Sequence, residues 1–174
     1  MNIIRTLLEA DLFKTKKVIS RHCFLTTEGD TDRNIYFIEK GSLRIFIRAE
    51  EQERVIRFGY KNNIVVCLDS FLSGKPTDFY IQAIRKTEVK VASKKDFYAF
   101  IQSSDEHLKL WTVILEDLVL KQMEREKDLL ISAPKKRYEC VLKRSPQLFQ
   151  EIPNRHIANY LRMSPETLSR LKKS

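Results

Sequence analysis

With 174 residues, 43% hydrophobic content and a net charge of +9, the chain can hold one medium domain and a small appended one around a real core. No apolar run approaches the ~20 residues of a membrane span, and Met1-Asn2-Ile3-Ile4-Arg5 lacks the apolar stretch of a secretory signal, so a cytoplasmic protein with no membrane partner is expected. Cys23, Cys67, Cys140, His22, His107 and His156 are scattered without ligand spacing, which predicts reduced buried thiols, surface histidines, and no metal or other cofactor.

Residues 2–13 place Ile4, Leu7, Leu8 and Leu12 at helical steps and predict a short amphipathic helix. Strand-like segments follow at 18–20 and 22–25, then the turn Glu28-Gly29-Asp30, then 34–39 leading into Lys40-Gly41-Ser42 and the clear alternation of 43–48. Segments 54–60, 64–68, 79–84 and 88–92 continue the pattern, separated by turns at Lys61-Asn62-Asn63 and Ser73-Gly74-Lys75-Pro76. Short strands at such regular spacing imply a compact β-barrel or sandwich.

A helical turn or two is expected at 96–101, and a long helix over 105–131. In the long helix Leu108, Trp111, Leu115 and Leu118 follow alternating three- and four-residue steps, a heptad seam that continues less well through Gln122 and Arg125 to Leu129. The seam faces either the core of its own chain or a second copy; Ile114, Val119 and Met123 widen it and favour a homodimer. Ser132-Ala133-Pro134 breaks the helix and is the candidate hinge. One more helix is predicted over 137–150, through Tyr138, Val141, Leu142 and the Leu148-Phe149 pair.

The last segment reads as a helix-turn-helix. Ile157, Ala158 and Leu161 make one narrow apolar stripe on a helix over 154–161, with Asn154 as its N-cap. Arg162-Met163 turns the chain, and Ser164-Pro165-Glu166 restarts a helix with a capping hydroxyl, a proline at the first position and an acid in the first turn. Leu168 and Leu171 face inward. Ser164, Glu166, Thr167, Ser169, Arg170, Lys172 and Lys173 are left for base edges and phosphates of double-stranded DNA; an ordinary helical hairpin with a solvated polar face is the other reading. Charge favours DNA: residues 132–174 carry a net +7, against −3 over 105–131 and +5 over 1–104.

The order of barrel, long helix, break and terminal helix-turn-helix resembles the bacterial Crp/Fnr family of transcription regulators. The resemblance rests on Glu28-Gly29-Asp30, on Tyr36-Phe37-Ile38-Glu39-Lys40-Gly41-Ser42-Leu43-Arg44, and on Ser164-Pro165-Glu166-Thr167-Leu168-Ser169-Arg170. The last of these is similar to the Fnr-type recognition helix, in which the glutamate, serine and arginine reach bases. It implies an α+β chain: a jelly-roll (double-stranded β-helix) sensor domain over 1–104, a dimerisation helix and hinge over 105–133, and an all-α helix-turn-helix domain over 134–174. Family members that bind cyclic nucleotides use a Gly-Glu pair and an Arg-Ser or Arg-Thr pair. Here no Gly-Glu precedes Phe71, and the arginine position falls at Thr77 followed by Asp78. A phosphate would lose its bidentate cation and meet a carboxylate, so the pocket around Cys67, Asp69, Ser70, Thr77 and Asp78 is not expected to hold cyclic AMP in the usual way. The oxygen-sensing branch's cysteine cluster is missing. The sequence also stops four residues after Arg170, where relatives usually continue into a wing, so DNA affinity is expected to be modest or to depend on Lys172 and Lys173.

The resemblance implies a homodimeric, non-enzymatic regulator in which a small-molecule effector shifts the hinge near Pro134. The alternative is a small-molecule-sensing or scaffold protein whose terminal helices make protein contacts. No nucleophile-base pair, metal cluster or phosphate loop suggests an enzyme.

Overall fold

A computed structural model describes residues 3–173; the expected helix start at Asn2 lies outside them. After α1 (Ile3–Glu9), eight strands follow among the described residues: β1 (Thr15–Ile19), β2 (Phe24–Thr26), β3 (Asn34–Lys40), β4 (Ser42–Ala49), β5 (Gln52–Tyr60), β6 (Ile64–Val66), β7 (Tyr80–Ala83) and β8 (Thr87–Ser93). They pair antiparallel in two four-stranded sheets, ordered β1-β8-β3-β6 and β2-β7-β4-β5, which face each other as a jelly roll. The period-two pattern decides what lies between them: Tyr36 and Ile38 from β3, Leu43 and Ile45 from β4, Ile81 from β7 and Val89 from β8 fill the interior. The tight β3–β4 connection requires Gly41, whose φ is 92° and whose place for a Cβ lies 2.4 Å from the Lys86 carbonyl oxygen.

Where the sequence pattern suggests strand to residue 68, β6 ends at Val66 and a one-turn helix, α2 (Leu68–Ser73), follows. Gly74 stops it in the left-handed conformation, with φ 73°.

The two outer sheet faces are covered by different helices. On β1-β8-β3-β6 lie α1, α3 (Lys94–Ile101) and the start of α4 (Asp105–Leu130), burying Leu7, Leu12, Ile35, Phe97, Ile101 and Leu110. Ser93 caps α3 by accepting from the Asp96 amide, and Ser104 caps α4 by accepting from the His107 amide. On β2-β7-β4-β5 lie the helices after the break. Phe46, Val55, Phe58 and Ile84 of the sheet side share one core with Val141, Leu148, Ile152, Ile157, Leu161 and Leu168. The chain after residue 134 therefore packs directly on the barrel.

The expected single helix over 137–150 is two, α5 (Pro134–Arg144) and α6 (Pro146–Glu151). Pro146 has no amide to continue α5 and restricts Ser145, so it opens a new helix instead. No helix among the described residues is long and apolar enough to cross a membrane.

Candidate functional site

The C-terminal pair consists of α7 (Asn154–Tyr160) and α8 (Pro165–Leu171). Arg162 makes the turn between them with φ 53°. Its amide donates to the Asn159 carbonyl and that of Met163 to the Ala158 carbonyl, both at 3.0 Å, a Schellman closure with arginine where glycine is usual. Ser164 caps α8, its hydroxyl oxygen accepting from the Thr167 amide at 3.2 Å. Leu168 is fully buried, while Ser164, Glu166, Ser169, Arg170, Lys172 and Lys173 are exposed and Thr167 half-buried. Hydrogen bonds from its own amide and from the Ser164 hydroxyl hold the Glu166 carboxyl below its usual range.

One expectation needs correction. Asn154 is not the N-cap of α7; Pro153 stands there and supplies no side-chain cap. The Asn154 amide oxygen instead accepts from Lys172 Nζ at 2.8 Å, so one of the expected phosphate-holding lysines is already tied across to α7.

Asn159 anchors α7 to the barrel. Its side-chain oxygen accepts from the Val55 amide and its side-chain nitrogen donates to the Glu53 carbonyl, both at 2.8 Å. Arg125 of α4 donates to the Tyr160 carbonyl at 2.5 Å, with its guanidinium 3.6 Å from the Tyr160 ring centroid.

Between α7 and the sheet lies a polar cleft of about 410 Å³, lined by Arg44, Glu53, Gln82, Arg155 and His156 among others. Arg44 lies over the Phe46 ring, 2.5 Å from a Glu53 carboxylate oxygen and 2.6 Å from the Gln82 side-chain oxygen. His156 is not the surface histidine expected: burial first, then Arg44 and Arg155, push its pKa down to about 4.

The barrel residues Cys67, Asp69, Ser70, Thr77 and Asp78 do come together. The Thr77 hydroxyl donates to Asp69, with its oxygen 2.8 Å from one carboxylate oxygen, and the Asp78 amide donates to the same carboxylate at 3.2 Å. The Cys67 thiol donates to Thr77 Oγ1 at 3.1 Å, and burial pushes its pKa up to about 12. Sequence reasoning missed Asp32, whose buried carboxylate accepts from the Thr26 hydroxyl at 2.6 Å and the Tyr36 hydroxyl at 3.0 Å. Its amide donates to Ser70 Oγ at 3.0 Å. Burial, with Asp32 next, raises the Tyr36 phenol far above its ordinary value. None of the ion pairs among the described residues involves Asp32 or Asp69. Two carboxylates and their hydroxyl donors therefore occupy this end of the barrel.

Along α4 the expected seam splits. Trp111 turns to its own barrel, edge-on to Phe97 with ring centroids 5.3 Å apart, because the indole fills the gap between α3 and α4. Leu115 and Leu118 are half-buried, and Leu108, Val119 and Met123 are exposed. At helical pitch, Leu108, Leu115, Val119 and Met123 form the outward apolar stripe.

Residues 16–104 match the cyclic nucleotide-binding domain family, and the chain belongs to it. The likeness in fold extends beyond that domain, over most of the length of several solved proteins. A double mutant of CooA from Carboxydothermus hydrogenoformans is 17% identical with a TM-score of 0.74, the alignment covering 99% of this chain and 83% of CooA. FixK2 from Bradyrhizobium japonicum is 16% identical at the same TM-score, with 91% and 82% covered. Catabolite activator protein from Thermus thermophilus is 22% identical with a TM-score of 0.58, with 97% and 80% covered. At these identities the likeness establishes the fold. No curated protein sequence matches the chain.

Proposed function

We propose that the chain is a homodimeric, non-enzymatic transcription regulator of the Crp/Fnr type, acting in the cytoplasm on double-stranded DNA through a helix-turn-helix formed by α7 and α8. The observation that carries this reading is α8 itself. Its cap and buried Leu168 fix the helix, and Glu166, Ser169 and Arg170 project from it into solvent. Arg170 lies one turn beyond Glu166 on the same face, and its planar fork suits a guanine edge. Lys173 supplies a point charge for phosphate at the helix end, joined by Lys172 through the donors that Asn154 leaves free. Two copies joined through the outward stripe of α4 would present two such helices to successive major grooves, roughly 34 Å apart, on a palindrome.

In this reading the barrel is a sensor that does not hold cyclic AMP in the usual way. The end where a phosphate would sit is filled by Asp32 and Asp69 with their own hydroxyl donors, and an anion placed there meets like charge. An effector of other chemistry would act by shifting the packing of α5–α8 on the barrel.

Fluorescence anisotropy on a duplex selected from a random pool, and on a scrambled one, at several salt concentrations tests the reading. Arg170→Ala should cost about 1–3 kcal/mol on the selected duplex and relax one position per half-site; equal weakening on both duplexes would make Arg170 a phosphate clamp. Calorimetric titration with cyclic AMP should give no micromolar binding, and a micromolar dissociation constant would overturn the barrel assignment.

A further inference from the structure

Arginines crowd the corner where α4 ends, α5 begins and the α7–α8 turn passes. Arg125 comes from α4, Arg137 and Arg144 from α5, and Arg162 from the turn. The carboxylates at this corner, Glu124 and Asp128, are both engaged by Arg144. Its Nη1 lies 3.1 Å from one Asp128 oxygen and 3.2 Å from Glu124, and its Nη2 reaches the other Asp128 oxygen. Arg125, Arg137 and Arg162 have no ion pair among the described residues.

Carbonyl groups meet part of their need. Arg125 donates to Tyr160, and Arg137 donates to Ile131 and, at 3.1 Å, to Arg162. Each is only 7% exposed. Yet Nη1 of Arg125, Nε of Arg137 and Nη1 of Arg162 are buried with no acceptor. A buried guanidinium N–H without an acceptor is costly, and the cost repeats three times in one corner. Burial holds the Arg162 guanidinium below its usual range, and Arg125, Arg54 and Arg137 press it further down.

Planar forks with free N–H groups and surplus positive charge match an oxyanion, which brings several acceptors and a negative charge at once. We infer that this corner is a binding site for a phosphate-bearing small molecule, held by Arg125, Arg137 and Arg162. Arg144, with its side chain one-third exposed, is the more solvent-facing of the two arginines on α5. Arg125 and Arg137 are too deep among the helices to meet a duplex backbone, so the ligand is a free phosphate compound rather than DNA. The site does not depend on the DNA reading. Because Arg137 also holds the carbonyl of Ile131, a bound phosphate would tie the end of α4 to α5 and to the turn that precedes α8.

Inorganic phosphate, titrated calorimetrically into the full chain with chloride balancing ionic strength, is the test. Saturable binding at one phosphate per chain is expected. Arg162→Gln should weaken it at least about tenfold, the worth of a charge-assisted hydrogen bond, and Arg162→Lys, which keeps the charge but not the fork, should weaken it too. Asp128→Asn removes a competing carboxylate and should tighten it. Heats no different from those of chloride, or an Arg162→Gln protein with unchanged affinity, would overturn the assignment. If Arg162→Gln does not fold, the parent titration and Arg162→Lys still decide.

Discussion

The two outer faces of the jelly roll are closed in opposite ways. Over β1-β8-β3-β6 the centre of the closure is aromatic: Phe71, Phe97, Tyr98 and Trp111 meet ring to ring, with α1 packed beside them and Lys94 reaching the Phe71 carbonyl at the edge. Over β2-β7-β4-β5 an apolar centre is fringed by side-chain-to-backbone hydrogen bonds from Asn159, Arg125 and Arg85 and by the cleft at His156. Rings packed on rings have no equivalent partner in water. Hydrogen bonds to backbone groups can be replaced by water at a net cost of only ~0.5–1.5 kcal/mol each. The first face is therefore scaffold, and the second is the one suited to opening.

The sharpest way to break this contrast is to remove one large side chain from each face. Phe97→Ala should cost about 3–5 kcal/mol and Leu161→Ala about 2–5 kcal/mol, but the two losses should be distributed differently. Phe97→Ala should speed amide hydrogen exchange across the barrel, whereas Leu161→Ala should speed it in α7 and α8 while β3 and β8 stay protected. Uniform exchange in both variants would mean that the faces form one cooperative unit. A smaller effect is expected from Asn159→Ala, about 1–3 kcal/mol, read as faster exchange at the Val55 amide; unchanged protection there would remove Asn159 from its anchoring role.

The smallest effect is a pH dependence. The folded-state pKa of His156, about 4, lies below the ordinary 6.5. The unfolded chain therefore takes up this proton first as pH falls. The group's contribution to stability is complete above pH 6.5 and is lost progressively as pH falls through about 4. Arg44, Arg155 and His22 oppose the charged imidazole and Glu53 favours it. His156→Gln should flatten the slope of urea midpoints across that window, and an unchanged slope would show that the acid sensitivity belongs to the carboxylates.

Much of this was legible in the sequence. Alternation marked β4 and β8, and the cap-proline-acid run Ser164-Pro165-Glu166 gave α8 its start. What failed did so for local reasons. α2 is a single turn, too short for helical periodicity, and the apolar Leu148-Phe149 pair masked the break that Pro146 enforces. Trp111 fits a heptad in sequence, but rings on α3 outcompete the seam for it. Of the barrel-end site, Asp69 and Thr77 were visible through the missing arginine, but Asp32 was not, because nothing in its neighbourhood announces burial. The arginine corner was invisible for another reason: its members come from separate helices, and their missing partners can be seen only once those helices are packed.

Asn159 has a consequence for solubility. β5 is an edge strand, paired only with β4, so its outer backbone groups, left uncovered, would be open to any other extended chain. The side chain of Asn159 occupies the Val55 amide and the Glu53 carbonyl on that edge, while α7 covers Val55 and Phe58 beside it. Whenever the terminal helices lift from the barrel, an unpaired strand and an apolar patch are uncovered together. The same contact that positions the terminal helices thus shields an aggregation-prone edge, and the open state is safe only while short-lived or occupied by a partner.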